Sequence, residues 1–290
     1  MSGVHALIDA DILVYRCGFA AEKHKYILTN LNNPDNRHEF QYKKELDAFV
    51  KDNGLDMDQF IVEKQKNVEP LGFALQNVKT VIVAIMDRLG AADYTMYLTG
   101  GINFRDAIAI TKPYKGNRDP EHKPIYYKEI RDYLVDTWKA VVTDGIEADD
   151  VIADVARMPA GCGNPLVIVS TDKDLDQIAG DHYNWVKDEV YHVDAYTASR
   201  NMWLRVLTGD PTDNIQGIPG MGPKKAEKYL DAFDPAEWAQ AILHMFEDTY
   251  GMDMGKQVFY EHVRLVKLGA PQKQEENEVL TDAEYRAIGT

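Results

Sequence analysis

Short apolar runs of four to six residues recur along the chain, each ending on a polar or acidic residue, with stretches of helical periodicity between them. This alternation predicts an α/β fold with parallel strands joined by helices. Strands are expected over residues 4–9, 94–99, 140–143 and 166–170, with weaker ones over 184–186 and 190–193. A helix is expected over 11–22. Another is marked by the stripe Leu71, Leu75, Val78, Ile82, Ile85 and Leu89, whose spacings of three and four put one apolar face against the sheet. Residues 23–69 are polar and turn-rich, with LNNPDNRH at 31–38, and read as an insertion to which no role is assigned. Beyond about residue 195 helices dominate, punctuated by glycines and prolines over 209–223. The expected organisation is therefore a sheet-bearing domain over 1–194, a helical subdomain over 195–270, and a mobile polar tail over 271–290.

In an open α/β sheet, ligands bind beyond the carboxyl ends of the strands. Acids that follow strands from distant parts of the chain are thereby expected to converge. Four motifs fit. LIDAD (7–11) runs a buried strand into Asp9 and Asp11; Asp11 reads as a helix cap, whereas Asp9 would be costly there without a partner such as a cation. GIEADD (145–150) sets Glu147, Asp149 and Asp150 at a helix start, more negative charge than a helix dipole needs. STDKDLDQ (170–177) brings Asp172 and Asp174 into a strand-to-helix turn, with Asp176 reading as a solvated residue. GDPTDNI (209–215) holds Asp210 and Asp213, alone no more than an Asx turn. Together they offer oxygen ligands without the His and Cys that zinc prefers, a set suited to Mg2+ or Mn2+. So many acids suggest two ions, which can activate water and stabilise a leaving oxygen in phosphodiester hydrolysis.

Composition changes this picture in one respect. The formal charge of −15 opposes nucleic-acid binding unless the motif acids are neutralised locally by metal. A basic segment survives nonetheless: Lys112, Lys115, Arg118, Lys123, Lys128 and Arg131 outnumber Asp119, Glu121 and Glu129. Over residues 103–124, Arg105, Lys115 and Arg118 lie beside Phe104 and Tyr114, a mixture able to grip phosphate and stack on a base, or simply to form a solvated loop. Lys115 could stabilise charge on the scissile phosphate. In GIPGMGPKKA (217–226), Gly217, Gly220 and Gly222 precede a helix whose first turn holds Lys224 and Lys225. Backbone N–H groups there would face an anion. The prolines and the lack of a leading strand exclude a dinucleotide fingerprint, and a hairpin gripping a DNA backbone suits the segment better. Cys17 and Cys162 are too few for a disulfide framework. The first residues lack the pattern of a signal peptide, and no apolar run approaches a bilayer span, so a cytoplasmic location is expected.

In order, LIDAD, NFR with YKGNR, GIEADD, STDKD, GDPTDNI and GIPGMGPKKA resemble the flap endonuclease and 5′-3′ exonuclease superfamily, the PIN-like 5′ nucleases, phage-encoded 5′ exonucleases and RNase H-type members most of all. The resemblance implies a PIN-like domain with a central, mostly parallel sheet flanked by helices, and a C-terminal helix-hairpin-helix. It implies two divalent ions, with Asp9, Glu147 and Asp149 around the first and Asp150, Asp172, Asp174, Asp210 and Asp213 around the second. Lys115 is similar to the family's catalytic lysine, Arg105 and Arg118 to phosphate-steering residues, and Gly217, Gly220, Gly222, Lys224 and Lys225 to the DNA-gripping hairpin, where members often bind K+. The implied partner is DNA with 5′ ends, flaps or nicks, or an RNA–DNA hybrid, acted on by a monomer. One departure stands out. Relatives carry an aspartate shortly before the NFR element, where this chain has LTGGINFR with Gly100 and Gly101. A DNA-structure-binding protein with weak catalysis is the alternative that this gap supports.

Overall fold

The computed structural model describes residues 3–119, 122–158 and 165–270. The expected tail and Cys162 lie outside the described residues. In chain order the elements are β1 (Val4–Asp9), α1 (Ala10–Ala20), β2 (Glu22–Asn30), β3 (Asn33–Phe40), α2 (Lys43–Asp52), β4 (Phe60–Val68), α3 (Leu71–Leu89), β5 (Ala91–Leu98), α4 (Phe104–Ile108), α5 (Tyr127–Trp138) and β6 (Val141–Val142). There follow α6 (Ala148–Arg157), β7 (Leu166–Val169), β8 (Gly180–Asn184), β9 (Glu189–Val193), α7 (Ala195–Thr208), β10 (Gly209–Asp210), β11 (Ile215–Gln216), α8 (Pro223–Leu230), α9 (Trp238–Tyr250) and α10 (Met252–Val266).

The main sheet has six strands in the order β6-β5-β1-β7-β8-β9. Its first five strands are mutually parallel and only β9 runs antiparallel. Strand β1 is central because Ala6, Leu7 and Ile8 are apolar without alternation and fully buried, as a strand covered on both faces requires. In register, Leu7 lies between Thr95 of β5 and Ile168 of β7, so β1 ends beside the ends of both neighbours. Leu7 and Ile168 pack with Ile152 and Ala153 of α6 and with Leu175 and Ile178. A second core joins Trp203, Val206 and Leu207 of α7, Ala226 and Leu230 of α8, Trp238 and Phe246 of α9, and Phe259 and Val263 of α10. The Trp203 and Phe259 rings stack nearly parallel there, 6.2 Å apart. Helices α7 and α8 are joined by the two-residue ladder of β10 and β11. That ladder lets the backbones almost touch: a Cβ on Gly209 would lie 2.1 Å from the Gly217 nitrogen. Glycine at both positions is a condition of the turn. Among the described residues no helix is long and apolar enough to cross a membrane.

Contacts divide the chain into two compact units, and the division does not fall near residue 195. The first unit comprises residues 1–12, 83–122 and 134–290, so the main sheet and the C-terminal helices belong together. The second comprises residues 13–82 and 123–133. Within it, the segment read as a polar insertion is an ordered antiparallel sheet, β3-β2-β4. Phe49 and buried Leu46 of α2 lie on it, with the Phe49 ring 4.6 Å from His38 and 5.2 Å from Phe40. The strand signal was hidden because β4 (FIVEKQKNV) is exposed over most of its length and carries no apolar alternation. Strand β8 likewise falls a few residues before its expected place, over the polar stretch GDHYN.

Candidate active site

All the residues of the site belong to the first unit. At the end of β1, Asp9 is 7% exposed and accepts hydrogen bonds from the Ser170 hydroxyl at 2.9 Å and the Asp11 N–H at 3.2 Å. Burial, reinforced by the charges of Asp11 and Asp172, pushes the Asp9 carboxyl up to about 7 despite those bonds. Asp11 accepts the Thr99 N–H at 2.9 Å and so lies at the end of β5. Next along the chain is the glycine pair. A Cβ on Gly100 would meet the Thr143 carbonyl oxygen at 2.0 Å, whereas one on Gly101 would meet nothing within 4 Å. A side chain at position 100 would therefore displace the backbone of the loop after β6.

Two acidic trios stand beyond the strand ends. In the first, oxygens of Glu147, Asp149 and Asp150 lie within 4.8 Å of one another. This follows directly from the helix start: Glu147 is the N-cap of α6, and its N–H donates back to the Asp150 carboxylate at 3.1 Å. In the second, Asp174, Asp210 and Asp213 meet the same limit but come from two separate segments. Asp174 sits in a 3-10 turn over Lys173–Gln177 that follows β7, its N–H bonded to exposed Asp172 at 2.9 Å. Asp210 and Asp213 come from β10 and the loop after it. The Tyr114 hydroxyl joins the trios, 2.8 Å from both Glu147 Oε2 and Asp213 Oδ2. A cavity of about 20 Å³ lies between them, room for one water-sized or ion-sized guest.

Positive charge is distributed around these acids. Lys115 Nζ donates to Glu147 Oε1 and stands 3.9 Å from Asp213. Burial alone would raise the Glu147 carboxyl, but Lys115, Arg105 and Tyr114 outweigh it and hold Glu147 below the usual carboxylate range. Arg118 pairs with Asp213, and Arg205 with Asp174 and, at 3.1 Å, Asp210. Among the described residues Asp149 forms no ion pair, and Arg105 and Lys115 offset its environment only in part. Burial and the charges of Glu147 and Asp150 drive its carboxyl well above the usual value, and its Oδ1 is buried with no hydrogen bond. A buried carboxylate oxygen left unsatisfied beside two other acids is what a cation would relieve. The donor set fits a hard divalent ion, being oxygen throughout.

Three expectations need correction. Arg105, expected to steer phosphate, is 1% exposed. Its guanidinium clasps Asp150 through bonds of 2.6 and 2.7 Å and donates to the Leu265 and Lys267 carbonyls at 2.8 and 3.2 Å. Asp150, read as a metal ligand, is in turn saturated by Arg105, the Glu147 N–H and the Gly269 N–H. Tyr114, expected to stack on a base, is 8% exposed and committed to carboxylates. In the segment 217–226, Lys224 and Lys225 are exposed in the first turn of α8, Gly222 is its N-cap, Gly220 takes φ +73°, and Gly217 closes on Thr208. Lys225 turns back to the Gly220 carbonyl at 3.0 Å. Asp176 accepts from the Tyr191 hydroxyl at 2.7 Å. Sequence reasoning assigns no role to Arg205 or Ser170: Arg205 lies in no chemical motif, and Ser170 opens STDKDLDQ, where only the acids stand out.

Residues 59–203, half of the chain, match the family described as 5′-3′ exonuclease, N-terminal resolvase-like domain, and the chain belongs to that family. It is 34% identical over 143 residues to DNA polymerase I of Deinococcus radiodurans, covering 45% of this chain and 15% of the polymerase. It is 30% identical over 147 residues to the flap endonuclease Xni of Vibrio campbellii, covering 46% of this chain and 55% of Xni. The aligned region thus spans only part of each relative. Among solved structures, the bacteriophage T5 5′-exonuclease with divalent metal ions (zinc) bound superimposes with a TM-score of 0.56 at 17% identity, over 91% of this chain and 89% of that one. A T5 flap endonuclease complex with DNA and metal ions gives 0.52 at 16% identity, over 91% and 99%. The fold is the PIN-like 5′ nuclease fold.

Proposed function

We propose that this protein is a divalent-metal-dependent 5′-3′ exonuclease or flap endonuclease that hydrolyses phosphodiester bonds near 5′ ends of DNA. The observation that carries this reading is the junction of two carboxylate trios at the Tyr114 hydroxyl with Lys115 reaching into it. Asp9, Glu147 and Asp149 would hold one ion, and Asp172, Asp174, Asp210 and Asp213 the other, Mg2+ or Mn2+ in each case. When bound, such ions supply a water activated for attack and a counter-charge for the leaving oxygen. Asp150 is reassigned: with Arg105 it is a buried brace that fixes the start of α6 and hence Glu147 and Asp149.

Lys115 holds a positive charge at the mouth of the site, where it would stabilise the scissile phosphate as negative charge develops. Arg118 is half-exposed beside Asp213 and would guide the adjacent phosphate. The hairpin over 217–226, with exposed Lys224 and Lys225 at a helix N-terminus, would grip the duplex backbone without reading sequence, with K+ as an additional ligand of that turn. Asp11 stands in for the carboxylate that Gly100 excludes, since it reaches the end of β5 by its bond to Thr99. The expected substrate is DNA with a flap or nick, RNA primers in hybrids being a second substrate of the same chemistry, and the expected state is a monomer in the cytoplasm. A 5′-labelled flap substrate and a nicked duplex, incubated with Mg2+, Mn2+ or EDTA, test the reading. Metal-dependent products from the 5′ side, lost in Asp174→Ala, support it; binding without cleavage by the wild type favours the DNA-structure-binding alternative.

A further inference from the structure

Glu261, on the buried face of α10, is outside the residues matched to the nuclease family and outside every motif of the site. It is 4% exposed, and a carboxylate so deeply buried is costly unless its bonds are good. Its Oε1 accepts three at once: from the Ile110 N–H at 2.6 Å, the Thr111 N–H at 2.8 Å and the Thr111 hydroxyl at 3.0 Å. These donors belong to the loop that leaves α4 and leads, within four residues, to Tyr114 and Lys115.

That loop needs holding. Lys115 sits at φ +53°, the left-handed region that a residue with a side chain adopts at a cost of roughly 1–2 kcal/mol. On the downstream side the loop is fastened by the Lys115 N–H to the Asp213 carbonyl and by the Asn214 amide to the Pro113 carbonyl, both at 2.9 Å. Those anchors lie in the β10–β11 loop, which itself carries Asp213 of the second trio. Glu261 is the upstream anchor and the one mounted on a long packed helix, α10, whose C-terminal carbonyls also receive Arg105. A neutral amide could accept the same N–H groups, but a carboxylate binds each about twice as strongly.

We infer that Glu261 is a positioning residue for the nuclease reaction, a carboxylate clamp on residues 110–111 that sets the backbone register of Tyr114 and Lys115 against Glu147 and Asp213. This rests on the proposed nuclease activity for its catalytic consequence, but the clamp itself is a property of the loop. It acts through Lys115, so its loss lowers turnover more than substrate affinity, which resides in the hairpin and Arg118.

The test combines hydrogen exchange with a double-mutant cycle on the full chain. In Glu261→Ala, the Ile110 and Thr111 amides are expected to exchange at least tenfold faster, with kcat on the Mg2+-supported flap reaction down about tenfold and KM within twofold. In a Lys115→Ala background, Glu261→Ala is expected to add no further loss of kcat, because both act through one group. Glu261→Gln, which keeps an acceptor oxygen, is expected to recover most of the turnover and carries the test if the alanine variant does not fold. Unchanged exchange at 110 and 111, or kcat losses that multiply in the double variant, would overturn the inference. A wild type that cleaves neither flap nor nick with any metal overturns the nuclease reading and Lys115's role with it; exchange at 110 and 111 still reports on the clamp separately.

Discussion

The two acidic trios achieve the same proximity by different means. Glu147, Asp149 and Asp150 come from one helix start, and their mutual placement is settled by four residues of local geometry. Asp174, Asp210 and Asp213 come from a turn after β7 and a loop after α7, and only packing of the helical core against the sheet's end brings them together. Their neutralisation differs accordingly. The first trio is braced from inside by a fully buried arginine and retains an orphaned Asp149 oxygen, whereas the second is ringed by half-exposed Arg205 and Arg118. A site assembled from distant segments needs cross-bracing by side chains, which Tyr114, Arg118 and Arg205 provide.

The most severe way to break the contrast is to remove the internal brace. Arg105→Ala leaves Asp150 as an uncompensated buried charge, and chemical denaturation is expected to show a loss of about 3–5 kcal/mol. A smaller loss is expected for Arg205→Ala, because Asp174 is partly exposed and buried Asp210 keeps the Thr212 N–H at 2.8 Å. Next, Lys115→Ala is expected to lower cleavage of a 5′ flap roughly 10²–10³-fold in single-turnover measurements, the range typical of a lost transition-state electrostatic contact, with the fold intact by circular dichroism. An intact rate would move Lys115 from the chemistry to mere scaffolding.

The glycine pair sharpens the comparison at the first trio's edge. Gly100→Asp is expected to cost about 1–3 kcal/mol or more by thermal melting, because its Cβ would press on the Thr143 carbonyl, while Gly101→Asp melts like the wild type. If Gly101→Asp also tightens Mg2+ binding by calorimetry, the absent family carboxylate has been restored at the open neighbour; equal melting of the two variants would show that the Thr143 contact is not restrictive.

Asp9 supplies a pH dependence. Its carboxyl is raised, by burial first, from the ordinary 3.8 to about 7, so the folded state binds this proton more tightly than the unfolded chain. With EDTA present, this group's contribution makes stability fall as pH rises from about 4 to about 7. With Mg2+ present the trend weakens or reverses, since the ion favours the ionised form. Asp9→Asn should flatten the EDTA profile; a slope unchanged by that substitution would assign the effect to other acids. The smallest effect is that of Tyr114→Phe, which removes the hydroxyl between the trios. About 1 kcal/mol of metal-free stability is expected to be lost, and Mg2+ should recover part of it.

How much was legible beforehand depends on whether the information was local. Strands β1 and β7 stood out because unbroken apolar runs mark strands buried on both faces, and each pointed at its acid, Asp9 or Asp172. The GIEADD helix start was legible for the same reason. The antiparallel sheet of the second unit was not, because its strands are largely exposed and polar, and no period of two survives in β4. Nor was the role of Arg105. A sequence shows that an arginine follows an aromatic residue, but whether its guanidinium faces solvent or a carboxylate inside the protein depends on what α6 and α10 bring to it from 45 and 160 positions away.

By itself, then, the sequence determined the α/β class, the strand ends from which the acids project, and the oxygen-only character of the acidic motifs, since each of these follows from periodicity or from residue chemistry within a few positions. Tertiary structure alone decided which acids are bound up by donors and which keep an unpaired oxygen. Asp150 and Asp149 are adjacent in the chain and chemically identical; one is saturated by Arg105 and the other is left with a buried, unpaired oxygen. The physical reason is that a carboxylate's availability is set by the donors that surround it, and those donors arrive on helices far away in sequence.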